Sequence, residues 1–204
     1  SFCSSSESRP VLLWRREATP EEEQKLTTVA ESVERAVEER TRLDVAVVYD
    51  RLNRRKIDVI PLPEWADPPK SAIGHLLEAT ERRLKGAGLP GGLKEVFALT
   101  KHIAREVGLR DARITSDVKH VEVGLTDKSD SIAWMMNELA AKRGIPAADV
   151  LIAGDEFGPI AGFEGSDYRM VTPAAKGAVF VSVGPEPGGP PTGVIHLAGG
   201  PPRF

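Results

Sequence analysis

Val150-Leu151-Ile152-Ala153-Gly154-Asp155-Glu156-Phe157-Gly158 is the stretch on which the reading of this chain turns. Four apolar residues in a row, followed by turn formers, make a short strand of the kind that fills a buried parallel sheet. Gly154 then lets the backbone turn sharply. Asp155 and Glu156 follow at the carboxyl end of that strand, where open parallel sheets gather their ligands. Paired carboxylates in such a place suit Mg²⁺, a hard cation that prefers oxygen. The competing reading is that Asp155 only fixes a turn or caps the next element, and spacing alone leaves both open.

Working outward, the neighbouring elements extend the same grammar. Before the strand, Asp130–Arg143 has helical spacing and ends at Gly144, placed to be a left-handed terminator, with Pro146 blocking any continuation. After it come two more apolar runs, Ala178–Val183 and Val194–Leu197. Helix, buried strand, polar loop, buried strand is the order of a doubly wound sheet. Within the loop, Gly165-Ser166-Asp167-Tyr168 supplies a second acid, and Lys128 stands just ahead of the helix. A lysine there is ordinarily solvated, but beside Asp155 it would hold a phosphate oxygen or neutralise a carboxylate.

The first part of the chain is different in kind. Thr19, Pro20 and Glu22 form a capping-box start for a helix from Pro20 to Arg42. Leu26, Val29, Ala30, Val33, Ala36 and Val37 give it one apolar stripe. The Glu21–Glu23 run suits the positive end of that helix. Strands are expected at Asp44–Asp50 and Lys56–Leu62, joined by Arg51–Arg55. The arginines of that turn read most simply as a solvated tip, with a substrate-facing Arg54 or Arg55 as the alternative. Pro61, Pro63, Pro68 and Pro69 break the pattern, and Trp65 is expected over a core edge. Helices near Ser71–Lys85 and Gly92–Val107, then strands at Ala112–Ser116 and Lys119–Leu125, complete an antiparallel α+β module. The boundary falls near Thr126, giving an α+β part at 1–126 and a Rossmann-like part at 127–204.

Composition excludes several classes of function. The 204 residues carry a formal charge of −3, which argues against a general nucleic-acid binder. No apolar run approaches the roughly 18 residues of a membrane span, and the first residues lack a hydrophobic signal segment. Cys3 is the single cysteine, so no internal disulfide framework forms, as expected of a cytoplasmic protein. His75, His102, His120 and His196 show no ligand spacing. The phosphate-loop, dinucleotide and Gly-x-Ser-x-Gly motifs are missing. Trp134, Met135 and Met136 read as core.

Lys128-Ser129-Asp130 opening a helix, then Ile152-Ala153-Gly154-Asp155-Glu156, then Gly165-Ser166-Asp167-Tyr168-Arg169-Met170, resembles the third and fourth motifs of the haloacid dehalogenase superfamily. The preceding part is similar in element order to the type 2 cap of that superfamily's sugar phosphatases and phosphomannomutases. The resemblance implies an α/β fold, an α+β cap followed by the second half of a Rossmann-like core, with the first residues a remnant of that core. It implies a Mg²⁺-dependent phosphohydrolase that acts on a phosphorylated sugar or sugar acid through an aspartyl-phosphate. In those terms Lys128 is the catalytic lysine, Asp155 binds the metal and Asp167 supports it.

Two departures accompany the likeness. The loop from Asp155 to Asp167 is longer than in most relatives, and no Asp-x-Asp nucleophile precedes the cap-like part. A nucleophile segment upstream of Ser1 accounts for this, as does a non-catalytic module that binds a partner or phosphorylated ligand. The missing initiator Met points to a processed or partial chain, and an exposed sheet edge is expected to favour self-association.

Overall fold

The computed structural model describes residues 2–6, 9–13, 15–65, 72–160, 162–186, 188–197 and 200, the first two stretches as backbone only. Pro68, Pro69 and the expected helix start at Ser71 lie outside the described residues. A hairpin of β1 (Phe2–Ser6) and β2 (Arg9–Leu13) opens the chain, in a region where the sequence suggested no strand.

Helix α1 (Pro20–Thr41) begins as the capping box requires: Thr19 accepts from the Glu22 amide at 3.2 Å, and Glu22 accepts from the Thr19 amide at 2.9 Å. Strands β3 (Ala46–Val48), β4 (Arg54–Asp58), β5 (Arg113–Ser116) and β6 (His120–Gly124) form one antiparallel sheet in the order β3-β4-β6-β5. Helices α2 (Ile73–Gly86) and α3 (Leu93–Glu106) lie between the two hairpins in sequence. Leu26, Val29 and Val33 of α1, Leu93 and Val96 of α3, and Ile57, Val121 and Val123 of the sheet are all wholly buried in one cluster. Trp65 packs half-buried against its edge.

Strand alternation explains what the other face of this sheet does. Ile57, Val121 and Val123 point to the helices, so Arg54, Lys56, Glu122, Arg113 and Thr115 share the opposite face through the pairs Arg54↔Gly124, Lys56↔Glu122 and Thr115↔Glu122. The expected arginine tip is thereby corrected. The turn is Arg51–Asn53, with Asn53 at φ 58°, and Arg54 and Arg55 belong to β4. Arg55 is buried on Glu23 and Thr27, while Arg54 faces the polar side and meets Glu122 at 3.0 Å. The turn is short because the buried Asn53 side chain clamps the Arg16–Ala18 backbone with two bonds of 2.7 Å.

The second part starts with α4 (Lys128–Trp134), capped by Asp127. It widens to a π-helical turn at Met135–Ala140, tightens over Ala141–Arg143 and stops at Gly144, φ 66°. Strands β7 (Leu151–Gly154), β8 (Val179–Ser182) and β9 (Val194–His196) are parallel, in that order. Ile152, Phe157 and Phe180 pack with Ile132 and Met136 into a second, smaller cluster. Of the expected core residues on this helix, Met135 is instead 41% exposed. The strands were read as buried on both faces, but Leu151, Val179 and Ile195 are exposed. The helical segment covers one face of this sheet, so alternate side chains remain uncovered among the described residues. The molecule is a mixed α+β protein, and no described helix is long and apolar enough to cross a membrane.

Candidate functional site

The turn that leaves β7 is organised around Asp167, a carboxylate only 3% exposed. Its Oδ2 accepts from the amides of Asp155 at 2.8 Å and Glu156 at 2.9 Å. In return the Asp167 amide donates to the Glu156 carbonyl at 3.0 Å. The carboxylate sits so close that a Cβ on Gly154 would lie 2.3 Å from Oδ2. Glycine ahead of Asp155 is therefore required by packing as well as by turning. Gly165 answers to the same closeness, since a Cβ there would lie 2.1 Å from the Glu156 carbonyl oxygen.

Lys128, the first residue of α4, reaches across to this turn. Its Nζ donates to Ser166 Oγ at 2.9 Å and to Asp167 Oδ1 in a shorter ion pair. An ammonium has three N–H donors, and these two bonds leave one for a further acceptor. The Lys128 side chain is 48% exposed, so that donor is within reach of solvent or ligand.

A buried clasp holds the far side of the loop. Glu186, 6% exposed and at φ 43°, accepts from the Phe157 amide at 2.9 Å, the Gly158 amide and the Ser182 hydroxyl. Phe157 in turn meets Phe180 edge-on with ring centroids 6.2 Å apart. The loop from Asp155 to Asp167 is thus tied to both β8 and α4.

Between this turn and the polar face of the antiparallel sheet lies a cavity of about 450 Å³, within the range of small-molecule sites. Lys128, Glu156 and Ser166 line it on one side, and Arg54, Arg113 and Glu122 on the other. Phe163 from the long loop stacks obliquely on Phe97 of α3, with centroids 5.2 Å apart, and shapes the end of the cavity.

The three residues singled out by sequence do converge in one turn: Lys128 touches Asp167, and Asp167 holds the backbone of Asp155. Arg113, Asp127 and Arg169 were not singled out, yet all line the cavity, as does Glu156, the acid paired with Asp155 in the sequence. Arg54 was weighed as a substrate-facing residue, and it does face this cavity. The signal for Arg54 and Arg113 was present as the polar half of the strand alternation. Asp127 stood beside a motif and Arg169 within one, with nothing in their spacing to mark them. The scattered histidines are structural where their partners are described: His120 lies between Asp117 and Asp58, and His196 meets the Gly184 carbonyl at 2.8 Å.

As for a metal, the donor chemistry is all oxygen. Asp167 commits both oxygens to Lys128 and two amides, and no group of three or more His, Cys, Asp or Glu side chains suited to a metal forms among the described residues. One or two carboxylates are the usual protein share of a Mg²⁺ site, with water and substrate phosphate completing it. No protein-family model matches this chain, and no curated protein sequence matches it either.

Proposed function

We propose that this chain is the cap-like and half-core part of a Mg²⁺-dependent phosphohydrolase of the haloacid dehalogenase type, acting on a phosphorylated sugar or sugar acid. One observation carries the reading. Lys128, Asp167 and the Gly154-Asp155 turn meet at the carboxyl end of a parallel strand, beside a cavity whose far wall is polar.

The residues have separable tasks in this reading. Lys128 offers its remaining N–H to a phosphoryl oxygen and lowers the charge of the group to be transferred. Asp167 keeps Lys128 aimed and holds the Gly154–Glu156 backbone in its turn. Asp155, with Asp167 in support, would hold Mg²⁺, which supplies charge neutralisation on the phosphoryl oxygens. Arg54 and Glu122, on the sheet, contact the rest of the ligand.

The commitment of both Asp167 oxygens to Lys128 and two amides favours a second reading, a module that binds the phosphorylated ligand without turning it over. Two measurements, made on the full-length protein with any segment that precedes Ser1, separate them: calorimetric binding of phosphorylated sugars and sugar acids, and Mg²⁺-dependent phosphate release from the same compounds. The enzyme reading expects release that vanishes in Asp155→Asn, and binding weakened by about tenfold or more in Lys128→Ala. Binding without release selects the module. Binding of none of the compounds overturns both.

A further inference from the structure

Several serine hydroxyls of this molecule spend their hydrogen on the protein. Ser116 donates to the His120 carbonyl at 2.9 Å, Ser129 to the Asp127 carboxylate and Ser182 to Glu186. Ser166 is used the other way round. Its Oγ accepts from Lys128 Nζ at 2.9 Å, and an ammonium can only donate. The Ser166 hydrogen is therefore directed away from Lys128, and no described acceptor takes it.

The neighbouring backbone fixes where that hydrogen can go. Before Ser166, Gly165 packs against the Glu156 carbonyl so closely that a Cβ would lie 2.1 Å from its oxygen. After it, the Asp167 amide donates to the same carbonyl at 3.0 Å, and the Asp167 carboxylate is tied to the Asp155 and Glu156 amides. Held between two pinned neighbours, Ser166 is half-buried and lines the cavity beside Lys128. Its O–H and the remaining Lys128 N–H are adjacent donors open to one space, their heavy atoms 2.9 Å apart.

Charge alone does not select the ligand at this point, because Asp167 already offsets Lys128. The direction of the donors does. Two donors so close together suit two oxygens of a single oxyanion, and a hydroxyl bonded to an ionised acceptor is stronger than one bonded to a neutral group. A serine nucleophile would need the opposite arrangement, a neutral base to take its proton, whereas the ion pair with Asp167 keeps Lys128 a donor.

We infer that Ser166 is a second ligand of the phosphoryl group. Its hydroxyl donates to one oxygen while Lys128 donates to another, which sets the orientation in which the group is held. This rests on the reading of Lys128 as the phosphate-holding group.

The test is calorimetry with inorganic phosphate on the full-length protein, with any segment that precedes Ser1. Mg²⁺ is present, because Glu156 lines the same wall and would repel free phosphate. Ser166→Ala, checked for an unchanged melting profile, is expected to weaken binding about tenfold. Were Ser166 only a prop for Lys128, its removal would cost nothing once Lys128 is gone. The same change made in a Lys128→Ala protein is instead expected to weaken binding by a further threefold or more, about. If that background binds too weakly to titrate, crystals soaked in tungstate decide, with an oxyanion oxygen expected within hydrogen-bond reach of Ser166 Oγ. Phosphate weakened by Lys128→Ala but not by Ser166→Ala overturns the role of Ser166 and leaves the lysine reading standing. No further loss in the Lys128→Ala background, or tungstate out of reach of Ser166, overturns it as well. Phosphate binding that neither variant alters, or none at all, overturns both together.

Discussion

Lys128 and Asp167 are 39 residues apart in sequence and form an ion pair in which the lysine is half exposed and the aspartate almost wholly buried. The pair is asymmetric. Lys128 can turn to water, whereas Asp167 is also the only described acceptor for two backbone amides, those of Asp155 and Glu156.

That asymmetry ranks two substitutions. Asp167→Ala leaves two amides without their acceptor and is expected to cost about 2–4 kcal/mol of stability. Lys128→Ala leaves Asp167 with both amide bonds and should cost about 1 kcal/mol. Urea unfolding of both variants checks the order, and an equal or reversed cost would show that the amide bonds are not what Asp167 contributes.

Glycines separate close approach from conformational freedom. Gly154→Ala drives a Cβ to 2.3 Å from a buried carboxylate oxygen, and a loss of about 1–3 kcal/mol is expected. Gly86→Ala, in the last turn of α2, meets nothing within 4 Å, and should gain about 0.5 kcal/mol. Thermal melts of the pair measure both signs.

Glu186 is expected to hold the loop after Glu156 in place. Glu186→Ala removes the acceptor from two amides and a hydroxyl, for a cost of about 3 kcal/mol. Hydrogen exchange at Phe157 and Gly158 should quicken in the variant far more than exchange in α1. Unchanged protection at those two amides would remove the clasp from the account.

The buried charges beneath the antiparallel sheet set a pH window. Burial alone would raise the Asp58 carboxyl, but hydrogen bonds from His120 and Lys119 outweigh it and hold it at about 2, below the ordinary 3.8. Its stabilisation, on the order of 2 kcal/mol, is present above the ordinary value and lost as pH falls through about 2. His120 moves the opposite way: burial lowers its pKa, yet its hydrogen bonds to Asp117 and Asp58 leave it raised above 6.5. Its contribution is complete below that ordinary value and lost as pH rises through the raised one. Stability should therefore be greatest between about pH 4 and 6.5 for this cluster. Asp58→Asn should flatten the acid limb and His120→Gln the neutral-to-alkaline limb, read from denaturation midpoints at stepped pH.

Much of the fold was legible as local pattern. The capping box at Thr19–Glu22, the stripe from Leu26 to Val37, the apolar runs at 150–153, 178–183 and 194–197, and the Gly144 stop each depend on residues within a few positions of one another. All appear where the spacing puts them, to within a few residues. The misreading of Arg54 and Arg55 has a physical cause. Consecutive strand residues point to opposite faces, so one arginine is buried on Glu23 and its neighbour is turned toward the cavity. Composition made both look like a solvated tip. The exposure of Leu151 and Ile195 was hidden for a related reason, because an apolar run does not state how many of its faces will be covered.

The sequence by itself determined the order of elements from Pro20 onward and the antiparallel and parallel character of the two parts, which follow from short-range periodicity and turn chemistry acting along the chain. The grouping of a lysine, a Gly-Asp turn and a later acid was what the resemblance implied. Only the tertiary structure decided that Asp167 spends its carboxylate on Lys128 and two amides. It also decided that Arg54 and Arg113 line the same cavity, and that Arg113, Asp127 and Arg169 stop short of closing on one another. Those relations are distances between residues from separate elements. They are set by how sheet and loop pack, and no local pattern encodes them.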